Sequence, residues 1–231
     1  DGESGLPSLR SKLDLIYIDP PFDSKADYRT KVTLPGVELE QKPTVIEQFA
    51  YSDTWSDGTA SYLEMITPRL ILMRELLSDS GSIYVHLDWH VGHYVKVVMD
   101  EVFGKKSFVN EIVWCYSIGG KGDSRFARKH DTIQLYSKAD TPIFNGKDPL
   151  VIKDRKPNSH MRSKVDADGR EYQEKTDKKS GKIYRYYVDE GKIPEDYWTD
   201  IEQLNREDAE RVGYGTQKPK ALLQRIIAAS S

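Results

Sequence analysis

The sequence is poor in cysteine and contains no long hydrophobic run. Cys115 is the only cysteine among 231 residues, which excludes an intrachain disulfide and a cysteine-based zinc site. No run of 18 apolar residues occurs and no signal peptide is recognisable. We therefore expect neither a membrane span nor secretion, and a cytoplasmic protein.

The chain also lacks a strong net charge. Its formal charge is −3, with 38% hydrophobic and 31% charged residues. This composition and length fit one substantial core, or a core with a small insert. A charge this close to zero argues against indiscriminate DNA binding by the whole surface, so any DNA contact must come from a local excess of cations.

The most informative motif lies near the start of the sequence. Leu15, Ile16, Tyr17 and Ile18 read as a buried strand that ends in Asp19-Pro20-Pro21-Phe22. The prolines end the strand because neither can donate a ladder hydrogen bond. Asp19 is thereby expected at the carboxyl end of a strand, the edge where open α/β sheets bind ligands. The simpler interpretation is that Asp and Pro merely form a turn.

This motif suits methylation of an exocyclic amine on a nucleobase. The nitrogen lone pair of such an amine is delocalised into the ring and is a poor nucleophile. Asp19 and the Pro20 carbonyl can each accept an N–H, which favours a pyramidal nitrogen as positive charge develops. Phe22 can stack on the base, which an enzyme must first flip out of a duplex.

Hydrophobic spacing predicts an alternation of helices and strands. A helix is expected over 59–78, although Pro68 implies a kink or a start nearer Thr67. A strand over 83–87 and a helical stripe from Val91 to Val102 follow. Two further apolar runs, 111–117 and 131–137, are separated by a loop with four basic residues that could contact phosphate. Of these, Lys121, Arg125 and Arg128 are candidate DNA-binding residues.

A possible metal site is suggested by three nearby histidines, His86, His90 and His93, with Asp88 among them. We expect no metal there, because a strand and the next helix would hold these side chains apart. Asp88 is a candidate for polar contacts near the site or for a cap on the following helix.

Charge is distributed unevenly in the later part of the chain. Residues 151–188 contain eleven Lys or Arg against six acids, whereas 189–211 contain nine acids against three cations. Tyrosines are interleaved with the cations, a mixture suited to phosphate contact and base stacking. The candidate DNA-binding residues here are Lys153, Arg155, Lys156, Arg162 and Lys164. The alternative is a solvated insert, and the acidic run is expected to form a surface helix and connector.

A second motif, Thr216-Gln217-Lys218-Pro219, lies near the end of the sequence. Thr216 can cap a helix that has Pro219 in its first turn and Leu222, Leu223, Ile226 and Ile227 on its buried face. The helix N-terminus and Lys218 make this corner electropositive, which suits a carboxylate. Capping alone explains Thr216 and Pro219 but not Gln217 and Lys218.

With both motifs in view, the chain resembles the S-adenosylmethionine-dependent DNA amino-methyltransferases of the β class, which includes type III modification subunits. The matching segments are 13–22, 62–90, 101–104 with 111–114, 131–138 and 213–231. The resemblance implies an α/β fold: a partial Rossmann-like methyltransferase sheet with helices on its faces and a basic insert. It also implies that the runs 111–117 and 131–137 pair antiparallel at the sheet edge. It implies catalytic residues Asp19, Pro20, Pro21 and Phe22, and cofactor-binding residues Asp19, Thr216, Gln217, Lys218 and Pro219.

The resemblance also divides the chain. Residues 1–150 correspond to the catalytic half, 151–211 to a target-recognition insert and connector, and 212–231 to a cofactor-side helix. The family's glycine-rich cofactor loop, which should follow, is not found in the sequence. We therefore expect a fragment of a longer enzyme, whose exposed first strand invites a homodimer.

The implied function is transfer of a methyl group from S-adenosylmethionine to adenine N6 in double-stranded DNA. The family also implies a possible restriction subunit as partner. Asp19 favours adenine, since serine at that position is more typical of N4-cytosine enzymes. An N4-cytosine methyltransferase and a non-catalytic DNA-binding fragment are the alternatives.

Overall fold

The structure is a computed structural model. It describes residues 7–22, 30–34, 37–41, 58–118, 123–214 and 216–231, with backbone alone for the second and third of these ranges. Lys121, a predicted DNA contact, lies outside the described residues.

A mixed five-stranded sheet forms the centre of the fold. Its strands are β1 (Leu13–Ile18), β4 (Leu77–Leu87), β6 (His130–Ser137), β5 (Phe108–Cys115) and the short β10 (Tyr197–Trp198), in that spatial order. β1 runs parallel to β4, and β6 runs antiparallel to both β4 and β5. β10 pairs with β5 in parallel. The predicted antiparallel pairing of the two apolar runs is confirmed, since they form β5 and β6. The edge of the sheet, however, is formed by β10.

Three α-helices accompany this sheet in the described ranges: α1 (Thr59–Leu76), α2 (Gly92–Phe103) and α3 (Lys220–Ser230). A hairpin is formed by β2 (Thr30–Leu34) and β3 (Val37–Gln41). A separate three-stranded antiparallel sheet comprises β7 (Ser163–Val165), β8 (Glu171–Thr176) and β9 (Ile183–Tyr187). The α/β class predicted from the sequence is confirmed.

Alternating side chains of β4 bury both faces of the sheet. Ile83, Val85 and Leu87 join the core beneath α1 and α2, whereas Tyr84 joins the second core, which includes residues of α3. This two-sided burial follows from the period of two along a strand. Gly81 allows β1 and β4 to approach, because a Cβ there would lie 2.7 Å from the carbonyl oxygen of Leu13.

Helix α1 continues through Pro68, so the alternative start near Thr67 is wrong. Tyr62, Ile66 and Leu70 are its fully buried residues. A proline inside a helix lacks the N–H that would bond to the carbonyl four residues earlier. The burial of side chains on both sides of Pro68 stabilises the helix despite that loss.

The acidic run does not form the predicted helix. Residues 189–211 contain β10 and turns, with no helix among them. The backbone N–H of Val113 donates to the carbonyl of Asp196 at 2.7 Å, which joins this segment to the edge of the sheet. Trp114 Nε1 also donates to the carbonyl of Ile201 at 2.7 Å. Pairing with the sheet therefore overrides the helical tendency of the acidic residues.

The start of α3 differs from the sequence prediction. Pro219, not Thr216, is its N-cap residue, and no side-chain hydrogen bond caps it. Leu222 and Ile226 are buried as predicted, but Leu223 is only partly buried and Ile227 is 53% exposed. Arg225, Ala229 and Ser230 complete the buried face.

None of the helices in the described ranges has both the length and the apolarity needed to cross a bilayer.

Candidate active site

The candidate site residues of the two motifs meet at one edge of the central sheet. Ile18 pairs with Val85, Leu87 with Thr132, and Cys115 with His130. The residues that follow β1 and β4 therefore lie at the same edge as the residues that precede β6. This edge carries the carboxylates of Asp19, Asp88 and Asp131. The loop from β5 to β6 begins and ends here as well.

Asp19 and Lys218 form an ion pair across this edge. Lys218 Nζ lies 2.5 Å from Asp19 Oδ2, with 14% of the Lys218 side chain and 25% of the Asp19 side chain exposed. They line a cleft of about 600 Å³ together with Tyr17, Glu210, Val212, Tyr214, Thr216, Gln217, Lys220 and Leu223. The structure thus brings together four of the five residues predicted to bind the cofactor. The fifth, Pro219, is buried at the N-cap of α3.

Gln217 has a structural role that the sequence did not reveal. Its Oε1 accepts the N–H of Val212 at 2.9 Å and its Nε2 donates to the carbonyl of Glu210 at 2.8 Å. The carboxylate of Glu210 in turn accepts the N–H of Lys220 at 2.6 Å, and so satisfies a donor in the first turn of α3. The cleft wall is held by these bonds.

The rest of the first motif is half-buried beside Asp19. Pro20, Pro21 and Phe22 are all of intermediate exposure. Lys218 Nζ lies 5.3 Å from the centre of the Phe22 ring, a cation–π contact. The predicted catalytic motif and the predicted cofactor motif are therefore neighbours in space.

A buried hydrogen-bond chain lies beneath this motif. Tyr17 OH is 2.8 Å from His86 Nδ1, and His86 Nε2 is 3.0 Å from Asp131 Oδ2. Tyr116 OH donates to Asp131 Oδ1 at 3.1 Å. Burial, and then the charges of Asp19 and Asp131, raise the pKa of Tyr17. Burial and Asp131 likewise raise the pKa of Tyr116, so both phenols keep their protons at neutral pH.

Asp88 contacts His90. Its Oδ1 accepts the N–H of His90 at 2.9 Å and its Oδ2 lies 2.6 Å from His90 Nδ1. Burial raises the pKa of Asp88, although its bonds to His90 oppose the change. Within the described part of the chain, no group of three or more His, Cys, Asp or Glu side chains could hold a metal ion.

Trp89 forms a stack that the sequence did not identify. Its ring lies 3.5 Å from that of His90 and carries the guanidinium of Arg128 at 3.4 Å. Arg128 belongs to the loop between β5 and β6, whose Phe126 is fully exposed. Arg125 is exposed on the same loop. The edge that carries Asp19 therefore also combines cations and aromatic rings.

Several cations of the insert are paired with acids. Lys153 bonds to Glu195 at 2.5 Å, and Lys164 bonds to Glu174. The Arg155 guanidinium lies 5.3 Å from the centre of the Tyr186 ring, while Lys156 and Arg162 are exposed. The predicted excess of positive charge is thus partly neutralised.

The segment that leads into the insert meets the end of α3 opposite Lys218. Asn145, which precedes the insert, bonds to the carbonyls of Ala228 and Ser231 at the carboxyl end of α3. The opposite end of α3 is the one beside Lys218 and the cleft. Lys153 and Lys192 then form a β-bridge that closes the base of the insert. Of the two predicted DNA-contacting regions, the loop between β5 and β6 is the one that begins and ends at the candidate active site.

The fold and the cleft define an α/β protein with a cleft at the edge of its sheet that carries an acid, a cation and aromatic rings. The sequence model of a DNA methylase family matches residues 13–231. The chain therefore belongs to this N6/N4 DNA methylase family.

Curated relatives include the type II methyltransferase M.EcaI of Enterobacter cloacae, 35% identical over 136 residues. The alignment covers 58% of this chain and 26% of that protein. The EcoP15I Mod subunit of an Escherichia coli type III restriction-modification enzyme is 30% identical over 138 residues, which are 55% of this chain and 21% of that protein. The matches thus span about a quarter or less of these relatives.

A solved structure of the PvuII DNA methyltransferase, described as cytosine-N4-specific, also matches. Its TM-score is 0.38 at 15% identity, with 59% of this chain and 46% of that chain covered.

Proposed function

We propose that this chain carries the methyl-transfer site of a DNA adenine N6 methyltransferase that uses S-adenosylmethionine. The observation that carries the proposal is the meeting of Asp19 and Lys218 in one cleft of about 600 Å³. In a member of a DNA methylase family, this meeting supports Asp19 as the acceptor for a base amine and Lys218 as the cation for a cofactor carboxylate. Residues 1–150, 151–211 and 212–231 keep their proposed roles as catalytic half, DNA-contacting insert and cofactor-side helix.

The residues of the cleft fit the proposed cofactor. Its volume lies within the range of small-molecule sites, and Val212, Tyr214 and Leu223 supply apolar surface for the uncharged parts of a nucleoside. Lys218 has three N–H donors, of which Asp19 takes one, so two remain for a carboxylate. Gln217 has both ends of its amide bonded to backbone, so it shapes the wall. S-adenosylmethionine, when bound, supplies an electrophilic methyl group.

Asp19 acts on the amine that receives the methyl group. Its Oδ2 is bonded to Lys218, so Oδ1 is the oxygen that accepts an N–H of adenine N6. The Pro20 carbonyl accepts the second N–H. These bonds strengthen as the nitrogen becomes positively charged, which lowers the barrier, and the extra proton is lost afterwards to solvent. Phe22 stacks on the flipped base.

A methyl-transfer assay with labelled S-adenosylmethionine and double-stranded DNA tests the proposal. Nucleoside analysis of the product should give N6-methyladenine, whereas N4-methylcytosine would support the alternative base. Asp19→Ala should abolish transfer and leave DNA affinity nearly unchanged. Asp14→Ala is the matched control, because Asp14 is an exposed carboxylate on β1 that bonds to Ser78. DNA binding without transfer by the unsubstituted chain would favour a DNA-binding role without catalysis.

We also infer two protein partners. The Mod relatives are named as subunits of restriction-modification enzymes, which supports a restriction subunit as partner. Among the described residues β1 pairs on one side only, and an unpaired strand edge favours association with a second copy. Light scattering during size-exclusion chromatography measures whether two copies associate. A stable monomer at all concentrations would contradict the inferred homodimer.

A further inference from the structure

The hydrogen-bond chain from Tyr17 through His86 to Asp131 has no role in the mechanism above. We propose that His86 and Asp131 are positioning residues that fix Tyr17 as a cofactor-contacting wall of the cleft. This inference rests on the proposed function. It assigns a task to three side chains that lie beneath the Asp19 motif and are bonded to one another.

Tyr17 is placed to contact a ligand. It lies on β1, two residues before Asp19, which directly follows the strand. It lines the cleft together with Asp19 and Lys218, while its hydroxyl is 2.8 Å from His86. One part of the side chain therefore borders the cleft and the other is held by the protein interior.

The direction of each hydrogen bond follows from the groups involved. A carboxylate only accepts, so Asp131 requires a proton on His86 Nε2. In a neutral imidazole Nδ1 then carries a lone pair, and the Tyr17 hydroxyl donates to it. Tyr116 donates to the second oxygen of Asp131. These bonds give each side chain of the hydrogen-bond chain one preferred orientation, and they thereby fix the orientation of the Tyr17 phenol.

His86 also connects the two sides of the site. Its side chain is fully buried, and its ring lies 6.0 Å from that of Phe22 and 5.5 Å from that of Trp114. Phe22 is the residue proposed to stack on the base, while Tyr17 borders the cofactor cleft. A buried His–Asp pair is a costly way to fill a core, since apolar residues of similar volume are often at least as stabilising. Its presence here is explained if it orients groups that bind ligands.

Tyr84 provides a matched control on the neighbouring strand. Its hydroxyl makes a buried 2.7 Å hydrogen bond to Ser230, at the end of α3 away from the cleft. Tyr84→Phe and Tyr17→Phe each remove one buried phenol hydroxyl and one hydrogen bond. Calorimetric titration with S-adenosylmethionine should show affinity reduced about 3–10-fold by Tyr17→Phe and less than about 2-fold by Tyr84→Phe, if one bond of roughly 1 kcal/mol orients the ring.

Substitutions further along the chain test positioning separately from contact. Asp131→Asn keeps an oxygen that can accept from His86 Nε2, whereas Asp131→Ala removes it, so Asn should restore most of the affinity lost in Ala. Nitrogen NMR of His86 should show the proton on Nε2. Saturating S-adenosylmethionine should shift the His86 Nδ1 resonance, which a purely structural histidine would not show.

Equal effects of Tyr17→Phe and Tyr84→Phe would overturn this inference, as would His86 resonances that do not change at saturation. In either case methyl transfer by the unsubstituted chain would leave the proposed function standing. Failure of the unsubstituted chain to bind S-adenosylmethionine would overturn both.

Discussion

Lys218 Nζ lies 2.5 Å from Asp19 Oδ2, although 199 residues separate them in the sequence. Asp19 follows β1, and Lys218 immediately precedes the N-cap of α3, so the pair joins two distant parts of the chain at one edge of the sheet. The contact brings the proposed amine acceptor and the proposed carboxylate-binding cation within one cleft. It also orients Asp19, because one of its two oxygens is already bonded.

Removing this cation should weaken cofactor binding. We expect Lys218→Met to reduce affinity for S-adenosylmethionine by at least about tenfold, since a charge-assisted hydrogen bond contributes roughly 1.5–3 kcal/mol. Lys220→Met is the control, because Lys220 is an exposed cation at the same cleft for which no ion pair is found in the described structure. Calorimetric titration measures both, and equal losses would indicate a general effect of charge.

Cations of the loop between β5 and β6 should contribute more to DNA binding than those of the insert. Arg128→Ala and Arg125→Ala should each weaken binding to duplex DNA and lower the slope of log K against log salt by about 1, because each removes one phosphate contact. Lys156→Ala and Arg162→Ala are the matched changes in the insert and should have smaller effects. Fluorescence anisotropy over a range of salt concentrations tests the comparison, and the reverse order would assign DNA contact to the insert.

The ion pair of Asp200 with Arg225 should make stability depend on pH. Arg225 lowers the pKa of Asp200, and a carboxyl whose folded pKa is lowered stabilises the fold above its unfolded pKa. This contribution is lost as the pH falls through the lowered value. Asp200→Asn should therefore reduce the free energy of unfolding by about 1 kcal/mol at pH 7, a value that allows for partial solvent screening. The difference should shrink toward pH 3.

Urea unfolding at several pH values measures this difference. Asp140→Asn serves as the control, since Asp140 is exposed and has no ion pair in the described structure. A loss for Asp200→Asn that stays constant down to pH 3 would contradict the prediction.

The close approach at Gly81 should not tolerate a side chain. Gly81→Ala would place Cβ 2.7 Å from the Leu13 carbonyl oxygen and 3.0 Å from a methyl of Leu77. We expect a loss of about 1–3 kcal/mol in the free energy of unfolding, because the strands would have to move apart. Gly92→Ala is the control: its Cβ would meet the Thr132 hydroxyl at 3.1 Å, and a side chain can rotate. Thermal or urea unfolding measures the loss in both variants. Equal losses for Gly81→Ala and Gly92→Ala would contradict this explanation.

Local patterns predicted the parts of the fold that depend on burial. The apolar run before Asp19 forms β1, and the two later runs pair as β5 and β6. The motifs at Asp19 and Lys218 each pointed to ligand binding, and the resemblance placed them together. These features are visible in sequence because each is carried by a short segment.

Features that depend on packing between distant segments could not be predicted. The acidic run forms part of a sheet edge because Asp196 and Trp198 meet β5, which charge and propensity do not encode. Thr216 lies outside α3, and the distant Glu210 supplies the side-chain hydrogen bond in the first turn of the helix. His86 was considered as a metal ligand, yet it bonds to Tyr17 and Asp131 through the register of three strands. The only local indication that Tyr17 belongs to the site was its position two residues before Asp19.

The separation of Asp19 and Lys218 also affects when the cleft can form during translation. At typical rates of roughly 5–20 residues per second, Lys218 is synthesised about 10–40 s after Asp19. During that interval the nascent chain carries the acidic motif without its basic partner or the helix that follows. Ribosome-bound chains should therefore gain the ability to bind ligand only once α3 has left the exit tunnel.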